Sequence, residues 1–79
     1  MRVLFYGCLA EVVARELEVE VTDCSIAELR AAVIAEHPRA EKVLTNSRTH
    51  VYVGGRRVDD DHMVRAADCV EFLAPVSGG

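Results

Sequence analysis

Tryptophan is missing from this chain, and only two tyrosines and two phenylalanines stand among its 79 residues. Any core must therefore be filled mainly by Val, Leu, Ile and Ala. Cysteines are three, Cys8, Cys24 and Cys69, odd in number, far apart and without a C-x-x-C pair. That excludes a zinc ribbon, a dithiol redox motif and a four-thiolate iron–sulfur cluster. Dispersed free thiols suit a reducing compartment, so the cytoplasm is the expected location. Positive charge is in deficit, with nine Lys and Arg against thirteen Asp and Glu and a net charge of −4. A nucleic-acid backbone requires a basic stripe, so no nucleic-acid partner is expected. No apolar run approaches the ~20 residues that cross a bilayer, and the short strand before Gly7 is too brief for a signal peptide. No membrane partner is expected either.

What is present suits one small domain. A chain this short has no room for two cores, and a domain of its size buries only about 60% of its unfolded surface, so its stability is modest. Its 51% hydrophobic content nevertheless supports a packed core and argues against disorder.

Val3-Leu4-Phe5-Tyr6 predicts a buried strand closed by Gly7. Leu9, Val12, Val13 and Leu17 recur at helical spacing and predict an amphipathic helix of about three turns. Val19-Glu20-Val21-Thr22 alternates apolar and polar, the pattern of a half-buried strand. Ser25-Ile26-Ala27-Glu28 reads as a capping box opening a second helix. Ile26, Leu29, Val33 and Ile34 form its inner face, Arg30 and Glu36 are assigned outward, and His37-Pro38 ends it. Residues 39–48 are polar and irregular, with one short helical turn around Val43-Leu44. Val51-Tyr52-Val53 is a strand, Gly54-Gly55 a tight turn, and Arg57-Val58 the start of a return strand. Asp59-Asp60-Asp61 reads as a solvated loop, since the ligand spacing of a calcium loop is absent. Cys69 to Pro75 forms the last strand.

Strand, helix, strand, helix and three further strands predict an α+β fold, a mixed sheet packed on one main helix. The apolar last strand is placed centrally, beside the first. Alternation along the strands then sets Val3, Phe5 and Phe72 toward the helix-covered core. Leu4, Tyr6 and Leu73 fall on the opposite face as an apolar patch for partner binding.

No catalytic apparatus emerges. His37, His50 and His62 share no helical face, so no metal site is expected. Gly54-Gly55 lacks the remaining glycines and the strand-to-helix context of a phosphate loop. Cys8 reads as a small half-buried residue rather than a nucleophile. The chemistry is sought instead at the end of the chain. Gly78 and Gly79 carry no side chains, so this segment can pass through a narrow channel and adopt backbone angles closed to other residues. The carboxylate of Gly79 is the candidate reactive group. Inside another protein's active site it can attack the α-phosphate of ATP.

The segment Phe72-Leu73-Ala74-Pro75-Val76-Ser77-Gly78-Gly79 resembles the aromatic-apolar-Pro-Pro-Val-x-Gly-Gly ending of the molybdopterin synthase small subunits, sulfur carriers of the ubiquitin-like β-grasp class. Arg2-Val3-Leu4-Phe5-Tyr6 is similar to that family's first strand, and Val51-Tyr52-Val53-Gly54-Gly55 to a strand and turn of it. Ala74 departs from the first of two prolines, Ala67-Asp68 from a Gly-Asp, and Arg56-Arg57 makes the hairpin more basic. The resemblance implies a β-grasp domain over residues 1–74 and a diglycine tail over 75–79, comprising Pro75, Val76, Ser77, Gly78 and Gly79.

It further implies that a ubiquitin-activating type of enzyme adenylates Gly79 and that a sulfur donor converts the adenylate to a thiocarboxylate. The large synthase subunit would then use that sulfur to build the dithiolene of molybdopterin. On this reading the chain binds no cofactor and is not catalytic alone; ATP and magnesium belong to the adenylating partner. The alternatives are a carrier for thiamine thiazole or another pathway, a protein-conjugating modifier, and a β-grasp interaction module with an inert tail. Pro75-Val76 is the step that favours the molybdopterin reading.

Overall fold

The computed structural model describes residues 1–20 and 23–75. The strand expected at Val21-Thr22 and the tail residues Val76, Ser77, Gly78 and Gly79 lie outside the described residues.

β1 (Arg2–Tyr6) and β7 (Cys69–Leu73) are paired in parallel at the middle of a five-stranded sheet. β2 (Glu16–Glu18) flanks β1, and β4 (His50–Val53) flanks β7, followed by β5 (Arg56–Val58), giving the order β2-β1-β7-β4-β5. The β1–β7 pairing is the parallel one, and β2, β4 and β5 pair antiparallel to their neighbours. β4 and β5 meet through Gly54 and Gly55, whose φ values of 58° and 81° suit the two central positions of a primed hairpin turn.

One face of the sheet is buried. Val3, Phe5, Val51, Val70 and Phe72 lie on it and pack against Ile26, Leu29 and Val33 of α2 (Ile26–Glu36). Phe5 and Phe72 stack with ring centroids 5.7 Å apart and planes 10° apart, an offset arrangement that adds about 1 kcal/mol beyond area burial. The capping box forms as read: the Glu28 amide donates to the Ser25 hydroxyl at 3.1 Å, and the Ser25 amide to Glu28 Oε1 at 2.9 Å. The Ser25 cap contributes about 1 kcal/mol to this end of the helix. Pro38 stops α2 and opens a short 3-10 turn, Pro38–Ala40, which buries Ala40, followed by α3 (Glu41–Leu44), which buries Leu44.

Several expectations are corrected. α1 spans only Leu9–Val12, and Leu17 belongs to β2. Leu17 stands opposite Val3 in the ladder, and the Phe5 amide donates to Arg15 O at 3.0 Å, so pairing with β1 ends the helix early. A strand forms earlier than expected, at Glu16–Glu18, and of the described part of the segment expected at 19–22, Val19 keeps one bond, from its amide to Met1 O at 2.8 Å, but neither Val19 nor Glu20 joins the ladder. The last strand stops at Leu73, two residues before Pro75.

Arg30 does not point outward. Its guanidinium lies 5.9 Å from the centre of the Phe72 ring and Nη1 donates to Asp60 Oδ1 at 2.6 Å, with its side chain 15% exposed. Position 30 borders the stripe of Ile26, Leu29 and Val33, so the apolar stem of the arginine lies along the core edge. The ion pair also ties the acidic loop to α2. A further ladder, β3 (Cys24–Ser25) with β6 (Met63–Val64), closes the far end of the core.

Candidate functional site

β7 is the strand from which the tail departs, and its neighbours control how it departs. The parallel ladder pairs Tyr6 with Leu73 at the last position. Beyond it, the Ala74 amide donates to Tyr6 O at 3.3 Å, and the Cys8 amide donates to Pro75 O at 3.4 Å. The backbone therefore leaves the sheet across the Gly7-Cys8 turn. Gly7 has φ 72°, and a Cβ built there would collide with the carbonyl oxygen of Ala74 and stand 3.1 Å from that of Pro75. Only glycine combines this backbone angle with so close a crossing.

The sheet face opposite α2 carries the alternate residues of the same strands. Leu4, Tyr6, Glu71, Leu73 and Tyr52 lie on it, with Leu4 and Tyr52 directly opposite Glu71 in the two ladders. Tyr6 is 43% and Leu73 37% exposed, while Leu4, Tyr52 and Glu71 are half-buried. Tyr6, Tyr52, Glu71 and Leu73 line a shallow depression. The Tyr6 hydroxyl donates to Glu71 Oε2 at 2.8 Å, and the phenol's pKa is raised because that bond and partial burial favour its protonated form. At the edge, Arg2 is held by Glu16 through Nε at 3.0 Å and Nη2 at 3.2 Å.

Of the residues expected to act, Leu4, Tyr6 and Leu73 come together on one face, and Pro75 begins the tail beside them. Gly79, Gly78, Ser77 and Val76 lie outside the described residues. Sequence reasoning missed Tyr52, Glu71 and Gly7 as parts of this site. Glu71 shares parity with Leu73, which located its face but not its phenol partner. Tyr52 needed the register of β4 on β7. Among the described residues no group of three or more His, Cys, Asp or Glu side chains converges as a metal site, and no helix is long and apolar enough to cross a membrane.

A mixed sheet with parallel first and last strands at its centre, one main helix across one face and an open opposite face constitutes the ubiquitin-like β-grasp architecture. Solved structures agree. SAMP1 from Haloferax volcanii matches with a TM-score of 0.86 at 26% identity, over 100% of this chain and 98% of that one. A protein from Pyrococcus furiosus described as molybdopterin converting factor, subunit 1, matches with a TM-score of 0.80 at 18% identity, over 95% of each chain. SAMP1 from Methanosarcina acetivorans matches at 0.78 and 16% identity, over 99% and 94%. The latter two, at such low identity, speak for the fold alone. No curated protein matches the chain in sequence. The model of the ThiS family matches residues 3–79, and the chain belongs to that family: it is a sulfur carrier of the β-grasp class.

Proposed function

We propose that this carrier serves molybdopterin synthesis, delivering sulfur as a thiocarboxylate on Gly79. The observation that carries the reading is the juxtaposition of the tail's point of departure with the Leu4, Tyr6 and Leu73 face. A partner seated on that face receives Pro75 at a defined place, in a chain that continues Val76-Ser77-Gly78-Gly79. A carboxylate is a poor electrophile because its charge is delocalised. An adenylating enzyme, using its own ATP and magnesium, joins Gly79 to AMP with release of pyrophosphate. A donor persulfide attacks the carbonyl, AMP leaves, and a thiol cleaves the resulting acyl disulfide to release the thiocarboxylate. The large synthase subunit then takes the sulfur, two carriers being consumed for each dithiolene. Closure of the tail in a partner channel supplies proximity and excludes the water that would hydrolyse these intermediates.

A second reading is favoured by the likeness to SAMP1 at 26% identity, a protein also named small archaeal modifier protein 1. On that reading the same activated carbonyl is attacked by a lysine amine, giving an isopeptide bond. Intact-mass spectrometry of the protein isolated from its own cells separates the two. Exchange of oxygen for sulfur adds about 16 mass units to the C-terminal peptide. A modifier instead appears as conjugates with a Gly79–lysine branch. A tail with neither mark, in cells actively making the cofactor, overturns both readings.

The docking face has its own test. Leu73→Asp places a charge at an exposed position and leaves the core untouched, so the melting temperature stays within a few degrees of wild type. Binding to the adenylating enzyme falls about 30-fold or more, the effect of losing one apolar anchor of roughly 2 kcal/mol. Unimpaired binding by this variant, measured calorimetrically, removes the patch from the interface.

A further inference from the structure

Glu71 is the anomaly of the open face. It stands on the central strand, half-buried, with Leu4 and Tyr52 beside it across the ladders and Leu73 two residues along. Its Oε2 accepts the Tyr6 hydroxyl, and no ion pair reaches it among the described residues. Among the described residues no basic group of this face makes an ion pair or hydrogen bond with Glu71, although Arg15 lines the adjoining depression with Leu4 and Tyr6. Arg2 is committed to Glu16 through both Nε and Nη2, and Arg57 lies opposite Tyr52, one strand beyond. Cys69, two residues before Glu71, His50, opposite Leu73, and Glu16 and Glu18 of β2, opposite Leu4 and Arg2, are further titratable neighbours on the face. Among the described residues, a carboxylate thus sits between apolar and aromatic side chains with one hydrogen bond and no ion pair.

Charge complementarity follows. While the face is wet, water solvates the remaining oxygen of Glu71. A partner that covers Leu4, Tyr6 and Leu73 strips that water, and an unpaired carboxylate under an interface is strongly disfavoured. A wholly apolar partner surface is therefore rejected at this spot, which is how a like-for-like hydrophobic patch acquires specificity. A planar guanidinium meets the requirement best. It can bond the free oxygen of Glu71 while lying against the rings of Tyr6 and Tyr52, which line the same depression.

The geometry points to Glu71, framed by Tyr6 and Tyr52, as a socket for an arginine side chain presented by the protein that docks on this face. The assignment rests on the docking reading above and deepens it, from an apolar patch to an apolar patch with a charged specificity point.

The test uses the full chain and two probes. The first is ethylguanidinium chloride, followed through amide chemical shifts against a sodium chloride control. Concentration-dependent shifts centred on Tyr6, Tyr52, Glu71 and Leu73, absent from Glu71→Gln, are the expected result. Shifts elsewhere, or equal shifts in the variant, overturn the socket. The second probe is the purified adenylating enzyme. Glu71→Gln preserves shape and can still accept the Tyr6 hydroxyl, yet should weaken binding about 30-fold and flatten its salt dependence. Wild-type affinity in Glu71→Gln overturns the socket while leaving the carrier reading intact. If the wild type itself fails to bind the enzyme, the proposed docking and molybdopterin reading falls and the guanidinium titration alone decides the socket. Dimerisation of the free chain that is abolished by Glu71→Gln would show that a second copy fills it, and overturns the assignment to a docking protein of another kind.

Discussion

Deletion of Gly79 alone abolishes sulfur transfer and leaves the β-grasp domain folded at wild-type stability. The expected loss is more than about 10³-fold, because one residue removes up to ~3.6 Å of reach and a misplacement of only ~1 Å at a reacting centre can cost about 10²-fold. Gly78 still ends in a carboxylate, so the chemistry of the group survives; only its position changes. The fold is indifferent because, among the described residues, no fully buried core residue lies beyond Phe72, Ala74 packs only at the core's margin, and the exit bonds use Ala74 and Pro75. Thiocarboxylate formation, followed by mass after incubation with the adenylating enzyme, ATP and a persulfide donor, is the readout, with thermal unfolding as the control. A truncated chain that still accepts sulfur at the wild-type rate refutes a role for Gly79. One that loses its fold shows that the tail supports the domain.

Gly7→Ala produces the largest expected change in stability. Two penalties coincide. An L-residue at φ 72° carries about 1–2 kcal/mol of backbone strain, and the added Cβ collides with the carbonyl of Ala74. Relief of the collision must move the exit segment, breaking the bonds from the Ala74 amide to Tyr6 O and from the Cys8 amide to Pro75 O, each about 1 kcal/mol. The sum is about 3 kcal/mol or more, a large share of the 5–15 kcal/mol that holds an ordinary domain together. For a domain of this size the melting temperature falls by roughly 12–24 °C. Gly54→Ala is the internal control: φ is 58° there, but nothing stands within 4 Å of the new Cβ, so only the strain is felt. Its expected loss is about 1–2 kcal/mol. Equal losses for the two variants would show that the crossing at Gly7 is not close enough to matter. A larger loss at Gly7, with faster amide exchange at Ala74, locates the damage at the exit of β7. Sulfur loading should then fall even below the melting transition, since the tail departs in another direction.

The open face was legible in the sequence for a simple reason. In a strand the side-chain period is two, so once Val3, Phe5 and Phe72 were assigned inward, Leu4, Tyr6 and Leu73 had to face outward together. The capping box was equally legible, since both of its partners lie within four residues. Where two periods agreed on the same residues, the reading failed. Leu17 follows Val13 at a spacing that suits a helix, yet Glu16-Leu17-Glu18 also alternates as a strand, and pairing with β1 decided between them. Polarity alone sets Arg30 outward, but its long stem belongs with the apolar stripe and its charge is met by Asp60, thirty positions away. The β3–β6 ladder joins segments too short to carry any periodic signal.

Alternation and helical spacing by themselves determined the α+β class, the inward and outward residues of the first and last strands, and the capped start of the main helix. These depend on local backbone geometry, which repeats every two or 3.6 residues wherever the chain lies. Only the tertiary structure decided that Gly7 runs beneath Ala74 and Pro75, that Tyr6 reaches Glu71, and that Tyr52 stands at its other side. Those contacts join residues distant in sequence, and their existence follows from strand register and the packing of one backbone against another, quantities that no stretch of sequence encodes locally.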